Sequence, residues 1–215
     1  MRWSGFIIPI MLASTAMAQT SGLVLDDFDS AINDEIGGDR AISLDVLANP
    51  FSQLTKFEVS PGYAFAAVTG AAVFNSGLGT KQTGTLGWDG GGEGLGLDAF
   101  EYGGFELDFL QADQDFSLSV EMTDFANGGS ALWSGIVGAT QTGRTVLISF
   151  DEFTTTGEFG PTVLDSITIV FNGGDSPISS LDFVLTEFRT SDIPAPGSVA
   201  LLGLSGLLLG RRRRA

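Results

Sequence analysis

Short stretches of alternating hydrophobic and polar residues recur along the chain from Gly22 onward, separated by turn residues. Alternation with a period of two places successive side chains on opposite faces of a strand, and these stretches lack the 3.6-residue period of a helix. The candidate strands are residues 23–28, 41–47, 54–59, 63–74, 83–88, 105–109, 116–122, 131–137, 145–150, 163–171 and 181–189. The pattern predicts an all-β protein built as a β-sandwich.

Glycine-rich turn sequences separate many of these candidates. Residues 75–77, 127–129 and 172–174 each begin with Asn and end with Gly, and both residue types tolerate a positive φ in tight turns. The best helical candidate, residues 30–36, covers barely two turns. Because no repeat and no change of composition divides the body, we expect residues 19–190 to form one β-sandwich domain.

The first 18 residues have the three parts of a secretory signal peptide. Arg2 supplies the positive charge, residues 6–12 form a short apolar run, and Ala16 and Ala18 form a cleavage site of the A-x-A type. The apolar run is shorter than the roughly 20 residues that a spanning helix needs. We therefore expect cleavage after Ala18, so that Gln19 becomes the first residue of an exported protein.

The C-terminal segment, residues 191–215, is predicted to be a linker followed by a membrane helix. No charged residue occurs from Ile193 to Gly210, and four arginines follow. Prolines precede Gly197, where we expect the helix to begin. Its length of roughly 21 Å makes a thin single transmembrane anchor, with the arginines on the cytoplasmic side and the body outside. The alternative is a buried C-terminal helix of the domain.

This segment resembles the sorting signal of PEP-CTERM proteins. The resemblance lies in the tripeptide, the short Gly/Leu/Ala helix and the basic end, that is Pro194, Ala195, Pro196, Arg211, Arg212, Arg213 and Arg214. Ala195 stands where the family has glutamate. The resemblance implies that the secretion machinery exports the chain, that the helix holds it in the membrane of the cell envelope, and that an exosortase-like membrane transpeptidase processes it. The product would be attached at the cell surface or released into the extracellular matrix.

Composition removes several kinds of chemistry. The chain has no histidine and no cysteine, which excludes Ser-His-Asp and Cys-His catalytic sites, disulfides, and metal sites built from imidazole or thiolate. Between Gln19 and Ile193 there are five basic and 26 acidic residues, a net charge of −21. A surface of this charge repels phosphate backbones, so we expect no nucleic-acid partner.

The body also resembles galactose-binding-like carbohydrate modules and the jelly-roll bodies of other PEP-CTERM proteins. The segments that carry the resemblance are residues 23–29, 37–40, 86–90, 146–153, 164–170 and 181–188. In such modules an Asp-Asp-Phe strand opens the domain and a pair of strands closes it. The resemblance implies a jelly-roll topology for the sandwich, and it makes extracellular polysaccharide a candidate ligand.

Carboxylates are frequent just after Gln19, and Ca²⁺ binds six to eight oxygens from carboxylates and carbonyls. In the galactose-binding-like superfamily a structural calcium lies between the opening segment and the last strand. By that resemblance Asp26, Asp27, Asp29 and Asp182 are candidate ligands for Ca²⁺. The alternative is a solvated acidic surface, which keeps an exported protein soluble. Arg40 stands among these acids, and we expect it to form an ion pair with Asp39, Asp45 or another carboxylate.

Aromatic residues bear on sugar binding. Phenylalanine supplies 17 of the 22 aromatic residues and is typical of a core, whereas Trp and Tyr rings more often stack on sugars. Residues 84–96 are predicted to form a glycine-rich loop, in which Trp88 and Asp89 are the candidate sugar contacts. The alternative places Trp88 in the core. A carbohydrate-binding surface would need exposed rings from the set Trp88, Trp133, Tyr63 and Tyr102.

Residues 106–111 are similar to the Glu-x-Asp-x-x-Glu strand of laminarinase-type hydrolases. Alternation places Glu106 and Asp108 on one face, but Gln111 stands where the second glutamate would be. Retaining hydrolysis needs two carboxyl groups about 5 to 5.5 Å apart. We interpret this segment as an ordinary strand with a solvated acidic face.

These features predict an exported, tail-anchored surface or matrix protein that has a jelly-roll body and no catalytic activity. The alternative is a carbohydrate-binding module at the cell surface, and a glycoside hydrolase is the more remote alternative. Exposure of the aromatic rings separates the first two, because a structural role buries them and sugar binding exposes them.

Overall fold

The computed structural model describes residues 22–30, 40–65, 68–99, 102–160 and 162–191. Within these residues the chain forms twelve strands, namely β1 Val24–Asp26, β2 Arg40–Ala48, β3 Lys56–Phe65, β4 Val68–Asn75, β5 Lys81–Trp88, β6 Gly104–Ala112, β7 Phe116–Asp124, β8 Gly129–Val137, β9 Arg144–Ser149, β10 Thr154–Thr156, β11 Ser166–Phe171 and β12 Asp182–Ser191. It also forms two short 3-10 helices, Gly90–Gly92 and Phe150–Glu152. No helix in these ranges is long and apolar enough to cross a membrane. The predicted signal peptide and residues 192–215 of the predicted tail lie outside the described residues.

The strands form two six-stranded sheets. Sheet A has the order β3-β4-β12-β6-β9, and β1 also pairs with β12. Sheet B has the order β10-β8-β7-β11-β5-β2. Every neighbouring pair in these two orders is antiparallel. The two sheets enclose one hydrophobic core, which confirms the predicted all-β sandwich.

The predicted strands agree with the observed ones except at two places. The candidates at 54–59 and 63–74 are redistributed into the β3–β4 hairpin, because the run 63–74 contains both the end of β3 and all of β4 except Asn75. Strand β10 was not predicted, since its three threonines are all exposed and give no alternation. Most of the helical candidate 30–36 lies outside the described residues.

The core is dominated by phenylalanine rings. Phe183 of β12 is fully buried, and its ring stacks on those of Phe74 and Phe116, with centroids 4.8 and 5.1 Å apart. Phe109 meets it edge to face at 5.7 Å. Burying one such side chain stabilises a fold by about 1.5–3 kcal/mol. The excess of phenylalanine in the sequence is therefore used mainly to join the two sheets.

Candidate ligand-binding cavity

The chain passes from sheet A to sheet B between β9 and β10. Ser149, the last residue of β9, pairs with Gly104 in sheet A, and Thr154, the first of β10, pairs with Leu132 in sheet B. The 3-10 helix Phe150–Glu152 makes this crossing. Trp133 of β8 donates from Nε1 to Oε2 of Glu152 at 3.0 Å, which ties the crossing to sheet B.

Beneath this crossing lies a cavity of about 490 Å³, which is within the usual size range of small-ligand sites. Its lining is mostly apolar, with hydroxyl groups and one carboxylate added. The lining residues are Ala99, Tyr102, Gly103, Met122, Ala131, Ser149, Phe150, Asp151, Phe153, Thr155 and Phe159. Met122 and Ala131 are buried, whereas Asp151 and Thr155 are exposed at the cavity mouth.

Two of the aromatic lining residues are anchored on the core. The ring of Phe150 meets the buried ring of Phe105 edge to face, with centroids 4.8 Å apart. Phe153 contacts Phe150 at 5.9 Å and Phe105 at 6.3 Å. Rings held in this way lose little conformational entropy when a ligand packs on them, so this wall is pre-organised.

The segment that carries Phe159 is fastened by Asp124, a buried residue at the end of β7. Its Oδ2 accepts hydrogen bonds from the backbone N of Gly160 at 3.0 Å and from Nδ2 of Asn127 at 2.6 Å. The bond from the Asn127 side chain lowers the pKa of the Asp124 carboxyl, and backbone bonds from Asn127 and Gly160 lower it further against the effect of burial. The acceptor therefore stays ionised in mildly acidic solution and keeps Phe159 in place.

The lining can bind a flat, hydroxylated molecule. The apolar face of a pyranose packs well on an aromatic ring, and its hydroxyls find partners in the side chains of Ser149, Asp151 and Thr155. Hydrolysis of a glycosidic bond needs two carboxyl groups, and Asp151 is the one carboxylate among the described lining residues. The lining therefore combines aromatic surface with polar groups at the cavity mouth.

Trp88, a predicted sugar contact, lies in the core instead, with 2% of its surface exposed. Its Nε1 donates to Oδ2 of Asp26 at 2.8 Å, and its ring packs at 5.2 Å from that of Phe188. Because the ring is buried by these contacts, it cannot stack on a sugar. Asp89 is exposed, and its Oδ1 accepts from the backbone N of Gly91 to cap the 3-10 helix there.

The four predicted calcium ligands are not brought together. Asp26 is fully buried and is paired with Arg40, so the expected ion pair of Arg40 is formed with Asp26. Asp27 accepts from the backbone N of the exposed Asp29. Asp182 stands six residues before the β12 partner of Asp26, roughly 20 Å along the strand. In the described part of the chain, no group of three or more acidic residues is placed to hold a metal ion.

The carboxylates on the outer face of sheet A form an ion-pair network. Arg189 of β12 pairs with Glu106 at 2.5 Å, Glu187 at 2.6 Å and Asp108 at 3.0 Å. Burial lowers the pKa of the Arg189 guanidinium, but its bonds to Glu187 and Glu106 outweigh that effect, so its pKa is raised overall. Glu106 and Asp108 lie on one face as predicted, and Arg189 neutralises part of their charge.

The sequence pattern identifies one of the residues that line the cavity and does not identify the lining phenylalanines. Tyr102, one of the rings named for sugar binding, lines the cavity, whereas Trp133 is partly buried against the core and is not among the lining residues. The side chain of Tyr63 lies outside the described residues. Phe150, Phe153 and Phe159 were assigned to the core with the other phenylalanines. The signal for Phe150 and Phe153 is the dense Phe-Asp-Glu-Phe sequence at 150–153, where two rings flank two acids without strand alternation, and Phe159 lies outside it.

The fold is similar to that of the family 11 carbohydrate-binding module of the cellulosomal cellulase Lic26A-Cel5E of Clostridium thermocellum. The TM-score is 0.52 and the sequence identity 13%, over 80% of this chain and 95% of that chain. A family 11 module from Clostridium thermocellum in complex with a β-1,3-1,4-mixed-linked tetrasaccharide gives 0.49 and 13%, over 78% and 94%. An agarase, AgWH50C, gives 0.48 and 12%, over 81% of this chain and 25% of that chain. No family model and no curated protein matches the sequence. The chain is an all-β sandwich similar to the jelly rolls of carbohydrate-binding modules.

Proposed function

We propose that this protein is a non-catalytic polysaccharide-binding protein of the cell surface, and that a neutral sugar binds in the cavity beneath the β9–β10 crossing. The observation that carries the proposal is the lining of that cavity. Tyr102, Phe153 and Phe159 supply aromatic surface, while Ser149 and Asp151 supply polar groups at the mouth. The likeness of the fold to a family 11 carbohydrate-binding module supports it.

The charge of the body favours a neutral ligand. Residues 19–193 carry a net charge of −21, and Asp151 places a carboxylate at the cavity mouth. An anionic polysaccharide would meet repulsion at both, whereas a neutral glycan would not. The ligand class we propose is therefore an uncharged polysaccharide with pyranose rings.

The cell-surface localisation in this proposal comes from the predicted N-terminal and C-terminal segments. A leader at residues 1–18 and a tail with Pro194, Ala195, Pro196 and the final arginines would deliver the sandwich to the cell surface through an exosortase-like transpeptidase. The leader is predicted from its basic residue, apolar run and cleavage site, and the processing of the tail is implied by the resemblance to the PEP-CTERM sorting signal. Intact-mass spectrometry of the protein recovered from its native host tests it, with Gln19 as the expected first residue and Pro196 near the expected last. A chain that keeps its first 18 residues would contradict export.

Native affinity electrophoresis of the full-length chain in mild detergent tests the binding. Soluble mixed-linkage β-glucan and galactan are embedded in separate gels, with alginate as the anionic polymer. We expect at least one neutral polymer to retard the chain and alginate to leave its mobility unchanged. The variants Y102A and F159A should lower the affinity about tenfold, since each removes one stacking surface.

The matched control is F125A, which removes an exposed phenylalanine that does not line the cavity. It should bind like the wild type. Retardation that Y102A and F159A leave unchanged would move the site away from the cavity. If none of a wide panel of neutral polymers retards the chain, binding is contradicted and a structural matrix protein becomes the better account.

A further inference from the structure

The cavity beneath the β9–β10 crossing runs inward from an edge of sheet B. Thr155 of β10 pairs with Ala131 of β8, and Ala131 pairs with Met122 of β7. These three lining residues therefore stand in one row across three neighbouring strands. Thr155 is exposed, whereas Ala131 and Met122 are 1% and 2% exposed. With strands about 4.8 Å apart, the row spans roughly 10 Å from the surface to its buried end.

The cavity ends at β7 and does not continue into the middle of the sandwich. Ile167 of β11 is the next residue of the row, because it pairs with Met122. It is fully buried and is not among the described lining residues. Phe105 of β6 is also fully buried, and its ring lies against the lining rings of Phe150 and Phe153. Core side chains therefore close the inner end of the cavity.

The mouth of the cavity lies on one segment of the chain. Within the described lining, the exposed residues are Asp151 and Thr155, and both belong to residues 149–155. A glycan that is bound in the middle of its chain leaves the site on two sides, which requires an open groove or a second mouth. A concave site with one mouth and a closed inner end admits the end of a chain instead.

The inner part of the cavity is apolar, whereas its mouth is polar. Ala99, Ala131 and Met122 are buried and carry no polar side-chain atom, and we call these three residues the floor. The side-chain hydroxyl and carboxylate groups of residues 149–155 lie at the mouth, and the half-buried Tyr102 adds one hydroxyl. A sugar hydroxyl pressed against the floor loses its hydrogen bonds to water without replacement, whereas a methyl group gains free energy from burial there.

We propose that the cavity binds a 6-deoxyhexose at the end of a neutral glycan, with the C6 methyl group on the floor and the glycosidic oxygen at the mouth. This inference rests on the proposed function, because it names the sugar that the same cavity takes. A 6-deoxyhexose has a methyl group where the parent hexose has a hydroxymethyl group. Its ring packs on Phe153 and Phe159, and its remaining hydroxyls face the polar groups of residues 149–155. Parent hexoses bind in the same cavity with lower affinity, because their C6 hydroxyl finds no partner on the floor.

Saturation-transfer NMR of the full-length chain in mild detergent tests the inference with matched sugars. Methyl L-fucoside and methyl L-galactoside share every ring configuration and differ in the group at C6. Methyl L-rhamnoside and methyl L-mannoside form a second pair of the same kind. In at least one pair we expect the deoxysugar to bind about tenfold more tightly, with the largest saturation on its methyl protons. Equal affinities in both pairs would overturn the inference.

The variant A131S places a hydroxyl on the floor with little change in volume. It should lower the affinity for the deoxysugar about tenfold and remove the preference over the parent hexose. The matched control is A72S, because Ala72 is a fully buried alanine of β4 that does not line the cavity. It should keep the wild-type preference.

Unfolding midpoints check that these variants fold. A99S makes the same change at another floor residue and takes the place of A131S if that variant is destabilised. A preference for the deoxysugar that survives in a folded floor variant would place the methyl group elsewhere and contradict the inference.

A neutral polymer with terminal 6-deoxyhexose branches tests whether the chain end is bound. Native affinity electrophoresis compares this polymer before and after an exo-glycosidase removes the terminal units. We expect removal to weaken the retardation of the protein. Unchanged retardation would mean that the protein binds along the polymer, which contradicts the inference and leaves the proposed function standing. If no neutral sugar or polymer binds at all, the proposed function fails as well.

Discussion

The indole Nε1 of Trp88 donates a 2.8 Å hydrogen bond to Oδ2 of Asp26, 62 positions earlier in the chain and in the other sheet. The same carboxylate accepts from Nε and Nη2 of Arg40, at 2.5 Å each, and from the backbone N of Phe28 at 2.9 Å. Arg40 and Trp88 are direct partners across β2 and β5. One buried carboxylate therefore fastens the opening strand of sheet A to two strands of sheet B.

Replacement of the Arg40 side chain should lower the free energy of unfolding. R40M leaves the buried Asp26 carboxylate without its bidentate partner, and an uncompensated buried charge destabilises a fold by about 3–5 kcal/mol. Chemical denaturation monitored by circular dichroism measures the change. K56M is the matched control, since Lys56 and Glu58 form an ion pair that is nearly half exposed and contributes at most about 1 kcal/mol. Equal losses in the free energy of unfolding for R40M and K56M would show that the buried ion pair stabilises the fold no more than the exposed one.

Asp182 should make the fold less stable as the pH rises. Burial raises the pKa of its carboxyl, and the nearby charge of Asp113 adds to the rise, against a bond from the backbone N of Ser76. The folded pKa then lies above the unfolded value near 3.8, so stability is lost as the pH increases from about 4 through the raised pKa.

D182N tests this effect, since its Oδ1 still accepts from Ser76 but carries no charge. We expect D182N to be more stable than the wild type at pH 7 and no more stable at pH 3, in urea unfolding. D113N should give a smaller gain, because it removes the charge that is the lesser cause. An unchanged difference between D182N and the wild type across this range would refute the assignment.

Asp124 should behave in the opposite sense. Its pKa is lowered, so its contribution to stability is present above pH 3.8 and is lost as the pH falls through its folded pKa. D124A should loosen the segment that carries Phe159, with faster hydrogen exchange at Gly160 and weaker polysaccharide binding. D115A, which removes an exposed aspartate that accepts from Ala139, is the control and should leave both readouts at wild-type values. Unchanged exchange at Gly160 in D124A would contradict this positioning role.

Two glycines of β5 should respond differently to a methyl group. A Cβ on Gly84 would stand 2.8 Å from Cε2 of Phe74 and 2.9 Å from Cδ1 of Phe57, both in the core. A Cβ on Gly87 would meet nothing closer than 3.8 Å. G84A should therefore cost about 1–3 kcal/mol through overpacking, whereas G87A should be neutral or slightly stabilising. Thermal unfolding compares them, and a stable G84A would show that the rings move aside freely.

The strands could be predicted from the sequence where buried and exposed residues alternate within one strand. Strands β5, β7 and β11 alternate strictly between buried and more exposed residues, and this alternation is written in the sequence. A strand that buries one face must alternate hydrophobic and polar residues, whichever strand it pairs with. The alternation can therefore be recognised in the sequence without knowing the neighbouring strand. Strand β10 could not be predicted in this way, because its three threonines are all exposed and bury no face.

The sites were less predictable because they depend on partners far apart in the chain. Trp88 stands in a glycine-rich stretch that looks like a surface loop, and only its hydrogen bond to Asp26 shows why it is buried. The chain crosses between the sheets after Ser149, and this crossing places Phe153 in one cavity lining with Tyr102 and Phe159. No short-range pattern encodes which rings meet at such a crossing.

By itself, the sequence determined that the body is an acidic all-β sandwich without imidazole or thiolate chemistry, because strand periodicity and composition act locally. The tertiary structure alone decided that Asp26 pairs with Arg40 and that Phe159 lines a cavity. It also decided that β2 is the last strand in the order of sheet B. These outcomes follow from pairings between strands distant in sequence, whose free energy depends on the whole sandwich and not on any one segment.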